Sequence, residues 1–173
     1  MEDTDTPAFN VSIETNTDVN KVPEISETDK ELFFKSILAD KPYQESFSLF
    51  DGQLSLTFRA MTVQENTDVV NQIVADRKLG TASDTDAYFV TISTYRLAMC
   101  LVSIGTEPFS TITKENFKKT DEADSYVLAR ARPIAEWSTS KLSIYLDAFS
   151  RFEAKLVKLS SEVQNQNFWR ASA

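Results

Sequence analysis

A β-hairpin is predicted by the stretch SFSLFDGQLSLTFR, residues 46–59. Apolar and polar residues alternate on both sides of Asp51-Gly52, a pair that suits the two positive-φ positions of a type I′ turn. If those two residues form the loop, Leu49 lies opposite Leu54. The register is then specified, because a slip of one residue turns the whole apolar face toward solvent.

The two faces of this hairpin differ in polarity, and one residue does not fit the pattern. Phe50 is a large apolar residue at the turn, on the polar side, and we predict that it contacts a partner. The apolar face is expected to pack on helices, because an isolated pair of strands is marginally stable in water. An uncovered strand edge also invites strand addition by another chain. The members of the apolar face are Phe47, Leu49, Leu54, Leu56 and Phe58.

The remainder of the chain carries helical patterns. We predict an α+β fold, mainly α, in which one N-terminal hairpin over 45–59 packs on a helical bundle with a long C-terminal amphipathic helix. A short helix capped by Thr28 or Asp29 precedes the hairpin. Pro133 is expected to kink or restart the last helix. The three longer helices are predicted over about 62–79, 84–104 and 121–168.

The last helix carries a continuous apolar stripe at steps of three and four residues. A helix of about 30 residues is roughly 45 Å long, which exceeds the reach of a domain of this size. Two interpretations remain open: the stripe belongs to the core of its own chain, or part of it forms a homo-oligomer or partner contact. Its length favours the second interpretation, with Phe149, Phe152 and Leu156 in the contact. The stripe comprises Leu142, Tyr145, Phe149, Phe152, Leu156, Leu159 and Val163.

The two ends of the chain suggest further contacts. Residues 1–28 are predicted to be a disordered or extended acidic arm, and 29–173 a single globular domain. Within the arm, Phe9, Val11 and Ile13 alternate locally as in a strand and are a candidate docking segment. At the other end, Phe168 and Trp169 are expected to act as a docking tip or to pack back on the domain.

The charge of the chain is unevenly distributed and limits the classes of partner. The formal net charge is −8, and residues 1–30 hold eight acids against two lysines. This excess of acid argues against nucleic acid as a partner. No apolar run approaches the roughly 18 residues of a membrane span, and the first residues do not resemble a signal peptide. We therefore expect no membrane partner and a cytoplasmic location.

The residue types that most enzymes and metal sites use are scarce. The chain has no His and a single Cys, Cys100, within an apolar run where a buried structural thiol is expected. No phosphate-binding, dinucleotide or zinc-protease motif occurs. We predict no catalytic, cofactor-binding or metal-binding residues, and no enzymatic activity. Arg59 and Arg96 remain open: each either binds an acidic partner or forms an internal ion pair, with Glu65 or another helix carboxylate.

The order of the segments resembles a known family. The hairpin is followed by RAMTVQE, residues 59–65, which has the form R-x-[ML]-T-x-x-E and opens a helix. A mostly apolar helix then leads to GTEP, of the form G-x-x-P, before the long C-terminal helix. Over roughly 43–160 this order is similar to the tail assembly chaperones of long-tailed bacteriophages, the lambda-type G proteins. Baseplate and hub-assembly proteins of contractile phages open with a similar segment.

The resemblance implies a non-enzymatic factor in the cytoplasm of the infected host. Such a chaperone binds the tape measure protein, keeps that long helical chain soluble and assists assembly of the tail tube. The acidic arm departs from the family pattern. It leaves open the alternative of a structural subunit of the virion, in a tail, baseplate or connector, where the arm links neighbouring subunits.

Overall fold

A computed structural model describes residues 24–80, 85–119 and 124–163, which form five helices and one four-stranded antiparallel sheet. This confirms an α+β fold that is mainly α, with a hairpin near the N-terminus. The elements are α1 (Glu27–Leu38), β1 (Gln44–Leu49), β2 (Leu54–Arg59), α2 (Val63–Lys78), α3 (Thr85–Cys100), β3 (Leu101–Ile104), β4 (Glu107–Pro108), α4 (Tyr126–Ala135) and α5 (Thr139–Val163).

The predicted hairpin forms in the predicted register. Leu49 lies opposite Leu54, and the strands remain paired back to Gln44 and Arg59. The loop is longer than the two residues considered above, because four residues, 50–53, connect the strands. The backbone is left-handed at three of them, with φ of 52° at Phe50, 53° at Asp51 and 90° at Gly52. A phenylalanine in this region is strained, because its Cβ crowds the backbone.

The predicted helix over 84–104 is too long at its C-terminal end. Helix α3 ends at Cys100, and the next four residues form β3, which pairs with β2. Pairing satisfies the backbone groups on the second edge of β2, which a lone hairpin would leave open. The G-x-x-P segment therefore follows a strand. Gly105, with φ of 61°, makes the tight turn into β4.

The predicted helix over 121–168 is two helices. Helix α4 ends at Ala135 and α5 begins at Thr139, so the break follows Pro133 by several residues. Ser125 is the N-cap of α4, and the side chain of Ser138 accepts a hydrogen bond from the N–H of Lys141 at the start of α5. Helix α5 has 25 residues, which corresponds to about 37 Å.

Helix α1 begins earlier than predicted. Its cap is Ser26, which forms a reciprocal capping box with Asp29. The helix therefore starts at Glu27, inside the range assigned to the arm, and Ile25 already packs against the core. The remainder of the arm, residues 1–23, lies outside the described residues. Phe33 is the buried residue of α1, whereas Leu32 and Ile37 are exposed.

The core lies between the apolar face of the sheet and α5. Phe58 of β2 is its centre, with ring centroids 5.7 Å from Phe149 and 5.6 Å from Phe152. Phe47 of β1 contacts Phe152 edge-on at 6.1 Å. Because these side chains interlock, truncating Phe152 to alanine should cost about 3–5 kcal/mol.

Candidate interaction surface

The R-x-[ML]-T-x-x-E motif folds as one bonded unit at the junction of β2 and α2. The guanidinium of Arg59 donates two hydrogen bonds to the carboxylate of Glu65, at 2.8 and 2.5 Å. Glu65 also accepts from the N–H of Thr62, whose side chain accepts from the N–H of Glu65. Burial opposes ionisation, but the bonds from Arg59 and Thr62 hold the pKa of Glu65 below its usual value. Arg59 therefore forms an internal ion pair.

The second candidate arginine is also paired within the chain. Arg96 of α3 bonds through its guanidinium to Glu153 of α5. Both groups are partly exposed, so this pair contributes modestly to stability. The structure thus supports the internal interpretation for both arginines, and neither is left as an acid-binding site for a partner.

Lys155 of α5 joins three elements from a nearly buried position. Its ammonium lies 2.8 Å from a carboxylate oxygen of Asp29 in α1 and 2.6 Å from one of Glu45 in β1. The hydroxyl of Tyr43 donates to the other oxygen of Glu45. Burial opposes the charge of Lys155, but its hydrogen bonds to both carboxylates raise its pKa. This arrangement, which we call the Lys155 hub, fixes the start of α1 beside the start of β1.

Arg130 is a buried cation that donates hydrogen bonds to three backbone carbonyls. Its guanidinium donates to the carbonyls of Ala98, Leu101 and Ile112, at 2.9–3.1 Å. Ala98 lies in the last turn of α3, where helix carbonyls have no partner within the helix. Burial lowers the pKa of Arg130. Sequence patterns do not reveal this role of Arg130, because any residue type supplies the same backbone carbonyl at the three acceptor positions.

The predicted contact residues of α5 lie in or against the hydrophobic core. Phe149 and Phe152 are buried in the core described above, and Leu156 is half-buried against the same cluster. The chain's own sheet covers this part of the stripe, so the intrachain interpretation accounts for it. As folded here, Phe149 and Phe152 are not on the surface, and a partner contact through them is not supported. Phe168 and Trp169 lie outside the described residues.

Phe50 is the predicted contact residue that the structure does place at the surface. Its side chain is 56% exposed at the tip of the hairpin. The left-handed backbone is unusual for phenylalanine. Its role in binding a partner stays a prediction.

An exposed apolar stripe on α2 was not predicted as a surface feature. Val63, Val70 and Val74 are 87%, 48% and 45% exposed, and their spacing of seven and four residues places them on one face. The inward face instead buries Val69 and Ile73 together with polar side chains. The polar side chains take inward positions because they have partners there: Asp76 accepts hydrogen bonds from the hydroxyl of Tyr95 and from the side-chain amide of Gln72. We call the three exposed valines the valine stripe.

The chemistry available elsewhere in the described residues is limited. Cys100 is buried, and burial raises the pKa of its thiol to about 12, which disfavours the reactive thiolate. Across residues 24–80, 85–119 and 124–163, no cluster of three or more His, Cys, Asp or Glu could hold a metal ion. No helix within the same ranges is long and apolar enough to cross a membrane.

Comparison with family models, with curated proteins and with solved structures finds no match to this chain.

Proposed function

We propose that this protein is a non-enzymatic tail assembly chaperone of a long-tailed bacteriophage, which binds the tape measure protein and assists assembly of the tail tube. The observation that carries the proposal is the resemblance in segment order, above all the R-x-[ML]-T-x-x-E motif after a strand pair. Arg59, Thr62 and Glu65 of that motif are bonded to one another. These bonds within the chain give a physical reason for the spacing of the motif.

The valine stripe is the surface that best suits such a partner. It extends over about 16 Å of helix and could receive the apolar face of an amphipathic helix. The residues that flank the valine stripe, Asn66 and Asn71, are uncharged, whereas Arg77 lies near its C-terminal end. A partner helix that carries apolar residues at matching intervals, followed by a carboxylate, would complement this surface. A tape measure protein, as a long helical chain, can supply such segments.

The test is co-expression with the tape measure protein encoded in the same phage genome, followed by co-purification. We expect Val70→Asp to reduce recovery of the complex by about tenfold, since a buried carboxylate at an interface costs more than about 1.4 kcal/mol. Ala75→Asp is the matched control, because it adds the same charge to an exposed position on another face of α2. Equal recovery with both variants would rule out the valine stripe, and failure of the wild-type chain to bind would refute the proposed function.

A structural subunit of the virion is the second candidate, favoured by the acidic N-terminal segment that the chaperone family lacks. Mass spectrometry of purified virions separates the two. A chaperone of the host cytoplasm should be absent from the particle, whereas a tail, baseplate or connector subunit should be present in stoichiometric amount.

A further inference from the structure

The outer edge of β1 offers unpaired backbone groups. Strands β2, β3 and β4 follow one another across the sheet, and among the described residues no strand pairs with the other side of β1. The N–H of Ala60 donates to the carbonyl of Tyr43 at 2.8 Å, which fixes the odd-numbered residues of β1 as the hydrogen-bonded positions. The N–H and C=O groups of Gln44, Ser46 and Ser48 therefore point away from β2.

The side chains along this edge alternate in the same way. Those of Gln44, Ser46 and Ser48 are exposed on the polar face of the sheet. Those of Phe47 and Leu49 lie on the apolar face and are only partly buried against the core. An added strand with apolar residues at every second position would complete this face.

The chain itself contains a segment with that pattern. Residues 9–14 read FNVSIE, in which apolar Phe9, Val11 and Ile13 alternate with polar residues. The described chain begins at Glu24, and the Lys155 hub holds the start of α1 beside the start of β1. Ten residues, 15–24, therefore separate the segment from a point close to the open edge.

We propose that residues 9–14 pair with the outer edge of β1 as an antiparallel fifth strand in the same molecule. In the register that matches both faces, Val11 lies opposite Phe47 and Ser12 opposite Ser46. The antiparallel direction places Glu14 at the beginning of β1, next to the start of α1. A flexible linker of ten residues has a root-mean-square span of about 18 Å, which suffices for this path. The short linker also favours the chain's own segment over one from a second copy, because it gives an effective concentration of about millimolar.

Amide hydrogen exchange on the full-length chain, followed residue by residue by NMR, tests the proposal. The N–H groups of Phe47 and Leu49 bond to β2 and serve as internal references. If the fifth strand forms, the N–H groups of Ser46 and Ser48 exchange slowly as well. An open edge instead leaves Ser46 and Ser48 exchanging fast beside slow references.

Substitution of Ser12 supplies the matched pair of variants. Ser12→Pro removes the N–H that the proposed register directs at Ser46, and should speed exchange at Ser46 and Ser48 by about tenfold, while the two references keep their rates. Ser12→Ala retains the N–H and should leave all four rates unchanged.

Three outcomes overturn the proposal. The first is fast exchange at Ser46 and Ser48 in the unmodified chain, and the second is slow exchange that Ser12→Pro leaves unchanged. The third is slow exchange that appears only at concentrations where light scattering detects a dimer, which would assign the strand to a second copy. None of these outcomes bears on binding of the tape measure protein, so this inference can be tested separately from the proposed function.

Discussion

Replacing Arg130 with methionine tests whether one buried cation holds the junction between α3 and β3. The substitution keeps an unbranched side chain of similar length and removes all three hydrogen bonds to the carbonyls of Ala98, Leu101 and Ile112. It also removes a positive charge from the C-terminal end of α3, whose last turn has no basic residue of its own.

The expected loss of stability depends on whether each carbonyl can form another hydrogen bond once Arg130 is removed. The bonds to Ala98 and Leu101 are buried, whereas the bond to Ile112 is partly exposed and water can replace it. Two buried carbonyls without partners cost about 1–3 kcal/mol each. The variant no longer has the cost of desolvating a buried guanidinium, and the methionine side chain gains apolar burial. These two gains offset part of the loss, so we expect a net loss of about 3 kcal/mol.

Urea denaturation and thermal unfolding measure this loss. For a chain of this size, about 3 kcal/mol corresponds to a fall in the melting temperature of about 6–12 °C. Arg132→Met is the control, since its side chain lies on the same helix and is 77% exposed. It should change the free energy of unfolding by less than about 0.5 kcal/mol. If both variants lose the same amount, or Arg130→Met loses less than about 1 kcal/mol, then Arg130 does not hold the junction.

The remaining predictions concern the Lys155 hub, the capping unit, the thiol and the hairpin tip. Lys155→Met should cost about 3 kcal/mol in urea denaturation, because two partly buried carboxylates lose their cation, whereas exposed Lys35→Met should be nearly neutral. Since the folded-state pKa of Glu65 is lowered, its contribution is complete above its unfolded-state pKa and is lost as the pH falls through the folded-state value. Glu65→Gln should therefore flatten the fall in stability as the pH drops below the usual pKa of a glutamate. Cys100 should react with a thiol reagent only at the rate of unfolding, and fast labelling of the folded protein would show that it is accessible. Phe50→Asn should raise stability by up to about 1 kcal/mol, because asparagine adopts the left-handed backbone more readily; a loss would mean that the phenylalanine ring packs on the chain.

Patterns set by neighbours in the sequence were predictable. The hairpin register follows from alternation about Asp51-Gly52, and the capping box of Thr62 and Glu65 follows from their spacing. The internal ion pair of Arg59 with Glu65 was one of two interpretations that the sequence left open, the other being a site for an acidic partner. These features depend on contacts within a few residues, for which residue types suffice.

Features set by distant contacts were not predictable. The segment 101–104 continues the helical spacing of α3, yet it forms a strand because β2 has an edge to pair with. In α2, Val70 and Val74 fit an apolar stripe but face outward, because polar side chains have partners on the inner side. The α5 stripe has the spacing of an interface and of a core alike, and only the position of the sheet assigns Phe149 and Phe152 to the core.

The position of α5 on the sheet has a consequence for synthesis of the protein. The apolar face of β2 is complete once about 60 residues have been made, yet the aromatic side chains that cover it belong to residues 149 and 152. Lys155 closes a loop of 110 residues when it reaches Glu45. On a ribosome that adds about 5–20 residues per second, the uncovered strands wait for several seconds. Folding of this domain is therefore expected to wait until α5 has been made, and the nascent hairpin is the stage at which the chain is most exposed to aggregation.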